Sequence, residues 1–218
     1  MAEKAEHGHV AGTRGHLPWW LLPSLAFFCL WFVSLCFLDI PVAKYMREYK
    51  MPRHLEETLV MCNSMAKAVP LVVLVLAAAI AVNGEKWRML GRLILAMLIG
   101  PLAAVWAGKL SVGRLRPRWF TGSQWQETFT GFFPNFNDAK RVHFDSFPSG
   151  DAALAFAVAF ILAQYFPRHR FILYFLAVGC AAERIFSQYH YISDVLLGAM
   201  IGYLSARIVQ YISAPTGR

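Results

Sequence analysis

"SFPSGDAALAFAVAFILAQYF", Ser146 to Phe166, joins a short polar turn to an apolar run. The run reads as a buried helix of membrane length. Pro148-Ser149-Gly150-Asp151 stands at its mouth. A helix start offers backbone N–H groups without intrahelical partners, together with the positive end of a dipole. Both suit an anion, phosphate above all. Asp151 is itself an anion, so the turn raises a chemical question as well as placing a helix.

The rest of the chain extends the membrane reading. Of 218 residues, 57% are hydrophobic and 16% charged, which is poor in charge for a soluble domain. The apolar residues fall in blocks that approach the roughly 20 needed to cross a bilayer. The formal net charge is +8, but the basic residues sit between hydrophobic blocks. That placement argues for membrane anchoring and an anionic substrate and against nucleic acid. Cys29, Cys36, Cys62 and Cys180 lie in or beside apolar segments without a C-x-x-C pair, as packing residues do.

The reading is an all-α polytopic membrane protein: a polar tail over 1–17, then one domain over 18–213 built as a six-helix transmembrane bundle. The tail histidines His7, His9 and His16 read as part of a disordered segment. The spans run roughly Pro18–Leu38, Leu59–Val82, Met89–Leu110, Phe147–Phe166, Phe171–Arg184 and Tyr191–Ile212, with Trp19 and Trp20 as interfacial anchors. Pro41 to Glu57 is placed along the interface. Six spans put both termini on one side, and the basic connectors "NGEKWR" and "PRHR" mark that side as cytoplasmic. The connector from Ser111 to Ser146 is far longer than an ordinary inter-helix loop. It carries Trp119, Phe120, Trp125, Phe129, Phe132, Phe133 and Phe136, which favours an ordered platform or lid outside the membrane.

Three polar clusters fall on one expected face, within 109–198. They are "KLSVGRLRP", with Lys109, Arg116 and Pro117; the Pro148–Asp151 turn; and "ERIFSQYHYISD", with Arg184, His190 and Asp194. Phosphoryl transfer spreads negative charge over three oxygens, so cations and N–H donors are needed around them. Lys109, Arg116 and Arg184 supply the cations, and the Ser149 and Gly150 amides form an anion nest. His190 can attack phosphorus through a neutral ring nitrogen. Asp194, four residues on, would hold the other ring N–H and fix the tautomer. Nothing in this scheme needs a metal or cofactor. Arg118 and Arg207 read as snorkelling anchors, and Glu183 as a partner for Arg184.

These clusters resemble the type 2 phosphatidic acid phosphatase superfamily, whose pattern is K-x6-RP, PSGH and SR-x5-H-x3-D. The resemblance implies phosphate binding at Lys109, Arg116, Ser149, Gly150 and Arg184, with His190 as nucleophile and Asp194 as its partner. It also implies a phosphorylated lipid as substrate, within the inner membrane of a bacterium and with the site on the outer face. Two positions depart from the pattern: Glu183 replaces a serine, and Asp151 replaces the histidine that acts as general acid. Nearby cations favour the ionised form of Asp151, whereas burial or a bound phosphate opposes it. Three solutions stay open. Asp151 is a protonated acid in the complex, or His143 is an auxiliary acid, or the leaving group needs no acid. Phosphotransfer between lipids and a non-catalytic lipid-phosphate binder are the rival functions.

Overall fold

A computed structural model describes residues 21–64, 84–133 and 143–213. The tail with its histidines, Trp19, Trp20, most of the second expected span and Phe136 lie outside the described residues.

Helix α1 (Leu21–Val33), a π-helical turn (Ser34–Leu38) and α2 (Asp39–Glu48) follow without a break. Ser24–Glu48 is therefore one apolar rod of 25 residues, long enough to cross a membrane. This corrects the expectation that the span stops at Leu38 and that Pro41 onward lies along the interface. Pro41 has no N–H to give its own turn, but the wide π turn just before it takes up the mismatch, so the helix continues. The correction places Asp39 inside the protein, at 1% exposure.

Residues 53–64 form helix α3. The third span is α4 (Gly84–Met97), a π segment (Leu98–Ala104) that contains Pro101, and α5 (Val105–Ser111). It is followed by α6 (Gly150–Tyr165), α7 (Arg170–Phe186) and α8 (Ile192–Ile212). Met89–Ser111 and Ile192–Ile212 are also long and apolar enough to cross a membrane, and α6 is a shorter apolar helix. The fourth span starts at Gly150, not Phe147, because Ser149 caps it with its side chain on the Ala152 amide.

Helix α6 is central and packs on α8, α7 and α4. Its buried residues are mostly alanine, which lets neighbours approach closely. Gly198 and Gly202 of α8 meet that face. A Cβ on Gly198 would stand 2.3 Å from the Ser149 carbonyl oxygen, and one on Gly202 would stand 2.4 Å from that of Ala153. Close backbone packing of small residues is how helices associate where lipid removes the hydrophobic drive between them. Outward faces are apolar and exposed, with Leu25, Phe32, Phe37, Leu98, Phe171 and Phe175 among them. Such surfaces belong in hydrocarbon.

The long connector is folded over its described part. β1 (Val112–Arg114) pairs antiparallel with β2 (Phe129–Phe132), with Arg114 opposite Phe129. Short 3-10 turns cover Pro117–Trp119 and Trp125–Thr128. Arg47 of α2 donates to the carbonyls of Pro117 and Phe120, and Phe120 is buried against Ile40, Ala43 and Tyr191. The loop is thereby locked to the first helix, while Trp119, Phe132 and Phe133 remain exposed.

Candidate phosphate site

The ends of α5, α6 and α8 meet at the Pro148–Asp151 turn. Gly108 lies so close to Pro148 that a Cβ there would stand 2.7 Å from the Pro148 Cδ. This contact holds the last turn of α5, with Lys109, beside the turn. The Ser149 amide donates to the Asp194 carbonyl at 3.0 Å and ties the start of α6 to the first turn of α8. That bond changes the expected nest. The Ser149 amide is already spent, so the helix start has the Gly150 and Asp151 amides to offer.

His190 is buried at 5% exposure, between α7 and α8. Its Nδ1 lies 2.5 Å from the Ser146 carbonyl oxygen. A carbonyl only accepts, so Nδ1 carries the proton and Nε2 keeps its lone pair. Burial, followed by the charge of Lys109, holds the imidazole well below its ordinary value, against the pull of the Ser146 carbonyl; Arg116 and Arg184 add to the lowering. The ring is thus neutral, with three cations near enough to act on it.

Asp194 does not hold the ring. Its Oδ2 is 3.9 Å from His190 Nδ1, beyond a hydrogen bond. Instead Oδ2 accepts from the Ser146 hydroxyl at 2.6 Å and the Tyr191 amide at 2.9 Å. Asp194 fixes Ser146, and the Ser146 carbonyl fixes the imidazole. The expected spacing is right, but the coupling passes through a residue that the sequence pattern did not single out.

A second group unnoticed in the sequence stands behind it. Arg114, inside the first motif, is fully buried and ion-paired to Asp39 at 2.7 Å and to Asp194. It also donates to Thr128 and Ser193, and its guanidinium lies between the rings of Phe129 and Tyr191. Asp39 in turn accepts from the Ser193 amide. One sequence signal could have found this network: Asp39 is a carboxylate directly at the end of the first apolar block, and such residues are costly without a partner.

Arg116 is unlike Arg114. Its Nε is buried without a hydrogen-bond partner among the described residues, and its backbone amide is fixed on the His143 carbonyl. His143 itself stacks on Trp119, with ring centres 4.5 Å apart. Arg184 is held by Glu183, as expected, and its Nη1 is 3.1 Å from Asp151 Oδ2. Asp151 is therefore placed as an acceptor on a cation at the site.

A family model described as the PAP2 superfamily matches residues 86–217, which contain all three clusters. The chain belongs to the PAP2 superfamily. Two solved structures share its fold. The crystal structure of LpxE from Aquifex aeolicus has 23% identity and a TM-score of 0.59, over 80% of this chain and 95% of that one. The crystal structure of the first transmembrane PAP2-type phosphatidylglycerolphosphate phosphatase from Bacillus subtilis has 18% identity and a TM-score of 0.56, over 89% and 98%. No curated protein matches the chain. At these identities the likeness is one of fold. The structure itself brings Lys109, Arg116 and Arg184 near His190 at one end of the bundle. The PAP2 motifs say nothing of Arg118, whose guanidinium stacks 3.5 Å from the centre of the Tyr189 ring. This contact differs from the snorkelling anchor that its sequence position suggests.

Proposed function

We propose that the protein is a membrane-embedded lipid phosphatase that hydrolyses a lipid phosphomonoester or diphosphate through a phosphohistidine at His190. The observation that carries this reading is the buried imidazole, with its tautomer set by the Ser146 carbonyl and with Lys109, Arg116 and Arg184 acting on it. The Nε2 lone pair forms a bond to phosphorus, and the bond from phosphorus to the leaving oxygen breaks, its electron pair departing with that oxygen. The three cations and the Gly150 amide stabilise the charge on the transferring oxygens. The Ser146 carbonyl, accepting from Nδ1, stabilises the positive ring of the intermediate. Water then attacks phosphorus, the bond to Nε2 breaks with its electron pair returning to the neutral imidazole, and the proton that water loses ends on the departed oxygen or the released phosphate.

Asp151 accepts from Arg184 Nη1 and keeps that guanidinium in place, so its carboxylate is engaged with a cation and not with the leaving group. Side-chain cations fill the charge-stabilising role, so activity survives chelation with EDTA. The site faces the outside of a bacterial inner membrane, and the lipid enters laterally from the outer leaflet. The exposed Trp119, Phe132 and Phe133 beside the spans support that route, and the basic connectors support that orientation.

The test is phosphate release from a panel of phospholipid and prenyl phosphates by the purified protein in detergent. Wild type should release phosphate and trap an acid-labile phosphoenzyme, and His190→Ala should do neither. Equal release by both proteins refutes the mechanism. Binding without release by wild type would favour the non-catalytic reading. In a cysteine-free background, a cysteine at Gln124 should react with an impermeant thiol reagent from outside the cell, and one at His169 should not.

A further inference from the structure

Tyr189, the residue before His190, is ringed by arginines. The guanidinium carbon of Arg118 lies 3.5 Å from its ring centre, that of Arg184 4.8 Å and that of Arg116 5.2 Å. Three like charges would not gather unaided. The ring face attracts each of them, and the backbone fixes the ring. The Tyr189 and His190 amides both donate to the Arg184 carbonyl at 3.1 Å. Arg118 is docked to the same turn, with its amide on the Gln188 carbonyl at 3.2 Å and its Nη2 on the Ser187 carbonyl at 3.1 Å. An exposed arginine held at three points is not a free membrane anchor.

The charge at this end is unbalanced. Arg184 is paired with Glu183 and Asp151. Among the described residues, Lys109, Arg116 and Arg118 have no carboxylate within ion-pair distance, although the charge of Asp145 is felt at Lys109 and Arg116. One phosphoryl group beside His190 is served by Lys109, Arg116 and Arg184. Arg118 meets the same ring at the shortest distance of the three arginines, is exposed, and is the cation left over.

We infer that Tyr189 is a positioning residue and that Arg118, held by it, forms a second anion subsite that reads a second phosphoryl group on the substrate. This rests on the phosphatase reading and narrows it to lipid diphosphates. Asp151 supports it independently. Its carboxylate is engaged by Arg184 and is not free to serve a leaving group, and a phosphate needs such help less than an alkoxide does.

The experiment is calorimetric titration of the detergent-solubilised protein with inorganic pyrophosphate and orthophosphate, followed by kcat/KM for matched prenyl mono- and diphosphates. Wild type should bind pyrophosphate more tightly. Arg118→Gln should lose about tenfold for pyrophosphate, the size of one charge-assisted hydrogen bond, and about twofold or less for orthophosphate. The same bias should appear in turnover as a raised KM for the diphosphate lipid. Tyr189→Phe keeps the ring and should bind both anions more tightly than Tyr189→Leu. Tyr189→Leu should weaken both anions, because Arg116 and Arg184 lose their platform too. Equal losses on both anions in Arg118→Gln, or none, overturn the subsite, and so does a Tyr189→Leu protein that matches Tyr189→Phe. If wild type prefers pyrophosphate through Arg118 but hydrolyses no lipid, the catalytic reading fails while the subsite stands.

Discussion

Arg114 and Arg116 stand two residues apart and do opposite work. Arg114 is enclosed: all three of its nitrogens are bonded, two carboxylates neutralise it, and two rings cover its faces. Arg116 keeps a buried Nε without a partner among the described residues and has no ion pair there. A cation with every nitrogen engaged and two carboxylates beside it has little left for a ligand and fixes the scaffold. A cation held in place with donors unspent is ready for an anion, because leaving such a donor buried costs energy that only a ligand recovers.

The sharpest way to break this contrast is to remove each side chain in turn. Arg114→Ala leaves Asp39 and Asp194 buried and unpaired, and losing one partner of a buried pair costs about 3–5 kcal/mol. The expected result is a large drop in thermal stability or no folded protein. Arg116→Ala should fold with wild-type stability and lose about 10²–10³ in kcat, as when one transition-state donor is removed. Unfolding curves and phosphate release on the same preparations decide. A stable but inactive Arg114→Ala would erase the distinction.

The same contrast explains what the sequence could tell. The site residues lie at fixed spacings within short motifs, so Lys109, Arg116, Arg184 and His190 were legible. The apolar blocks marked the described spans, apart from the end of the first, where a π turn admits Pro41, and the start of the fourth, where Ser149 caps the helix; most of the second lies outside the described residues. Beyond the hint of Asp39 the Arg114 network was not legible, because Asp39, Thr128 and Ser193 come from three separate parts of the chain and no local spacing links them. The Asp194 role was half legible: four residues put it beside His190, yet a hydroxyl on a different segment takes its hydrogen bond.

Arg184 lies between the two extremes, paired yet at the site, and Asp151 is the lever on it. Asp151→His removes the ion pair and restores an imidazole that can donate a proton. General acids contribute about 10²–10⁴-fold. Turnover of a lipid monophosphate should therefore rise relative to a matched diphosphate, by up to about 10²-fold in the ratio of kcat/KM. An unchanged ratio in a folded, active protein discards the leaving-group explanation. Loss of both activities in Asp151→Asn would make Asp151 indispensable.

The acid limb of the pH profile is a milder test. The His190 value in the fold is below the ordinary 6.5, and the nucleophile is the neutral ring. Activity per folded molecule should therefore persist below pH 6.5 and fall only as pH passes the lowered value. Stability has the same sign. The unfolded chain takes up a proton on this ring near 6.5 and the fold does not, so the contribution of His190 is complete above that pH and declines below it. A kcat/KM profile that breaks above pH 6.5 would mean that the ring is not held neutral.

The smallest expected effect separates a direct from a relayed role for Asp194. If Asp194 held the ring itself, Ser146→Ala would leave catalysis untouched, since the mutation keeps the backbone carbonyl that meets Nδ1. In the structure the Ser146 hydroxyl is the link, donating to Asp194 Oδ2 at 2.6 Å. Without it the 146 carbonyl is less firmly placed, so kcat should fall several-fold with KM little changed. Stability should fall by about 1–3 kcal/mol, the cost of stranding a buried acceptor. Asp194→Asn perturbs the same link from the other end and also weakens the pair with Arg114. The two substitutions share one route to His190, so their effects on kcat should not add in the double mutant. Strict additivity in that cycle would show that Asp194 and Ser146 act on the ring by separate paths, and Arg114, which grips Asp194 from behind, would then have no line to the chemistry.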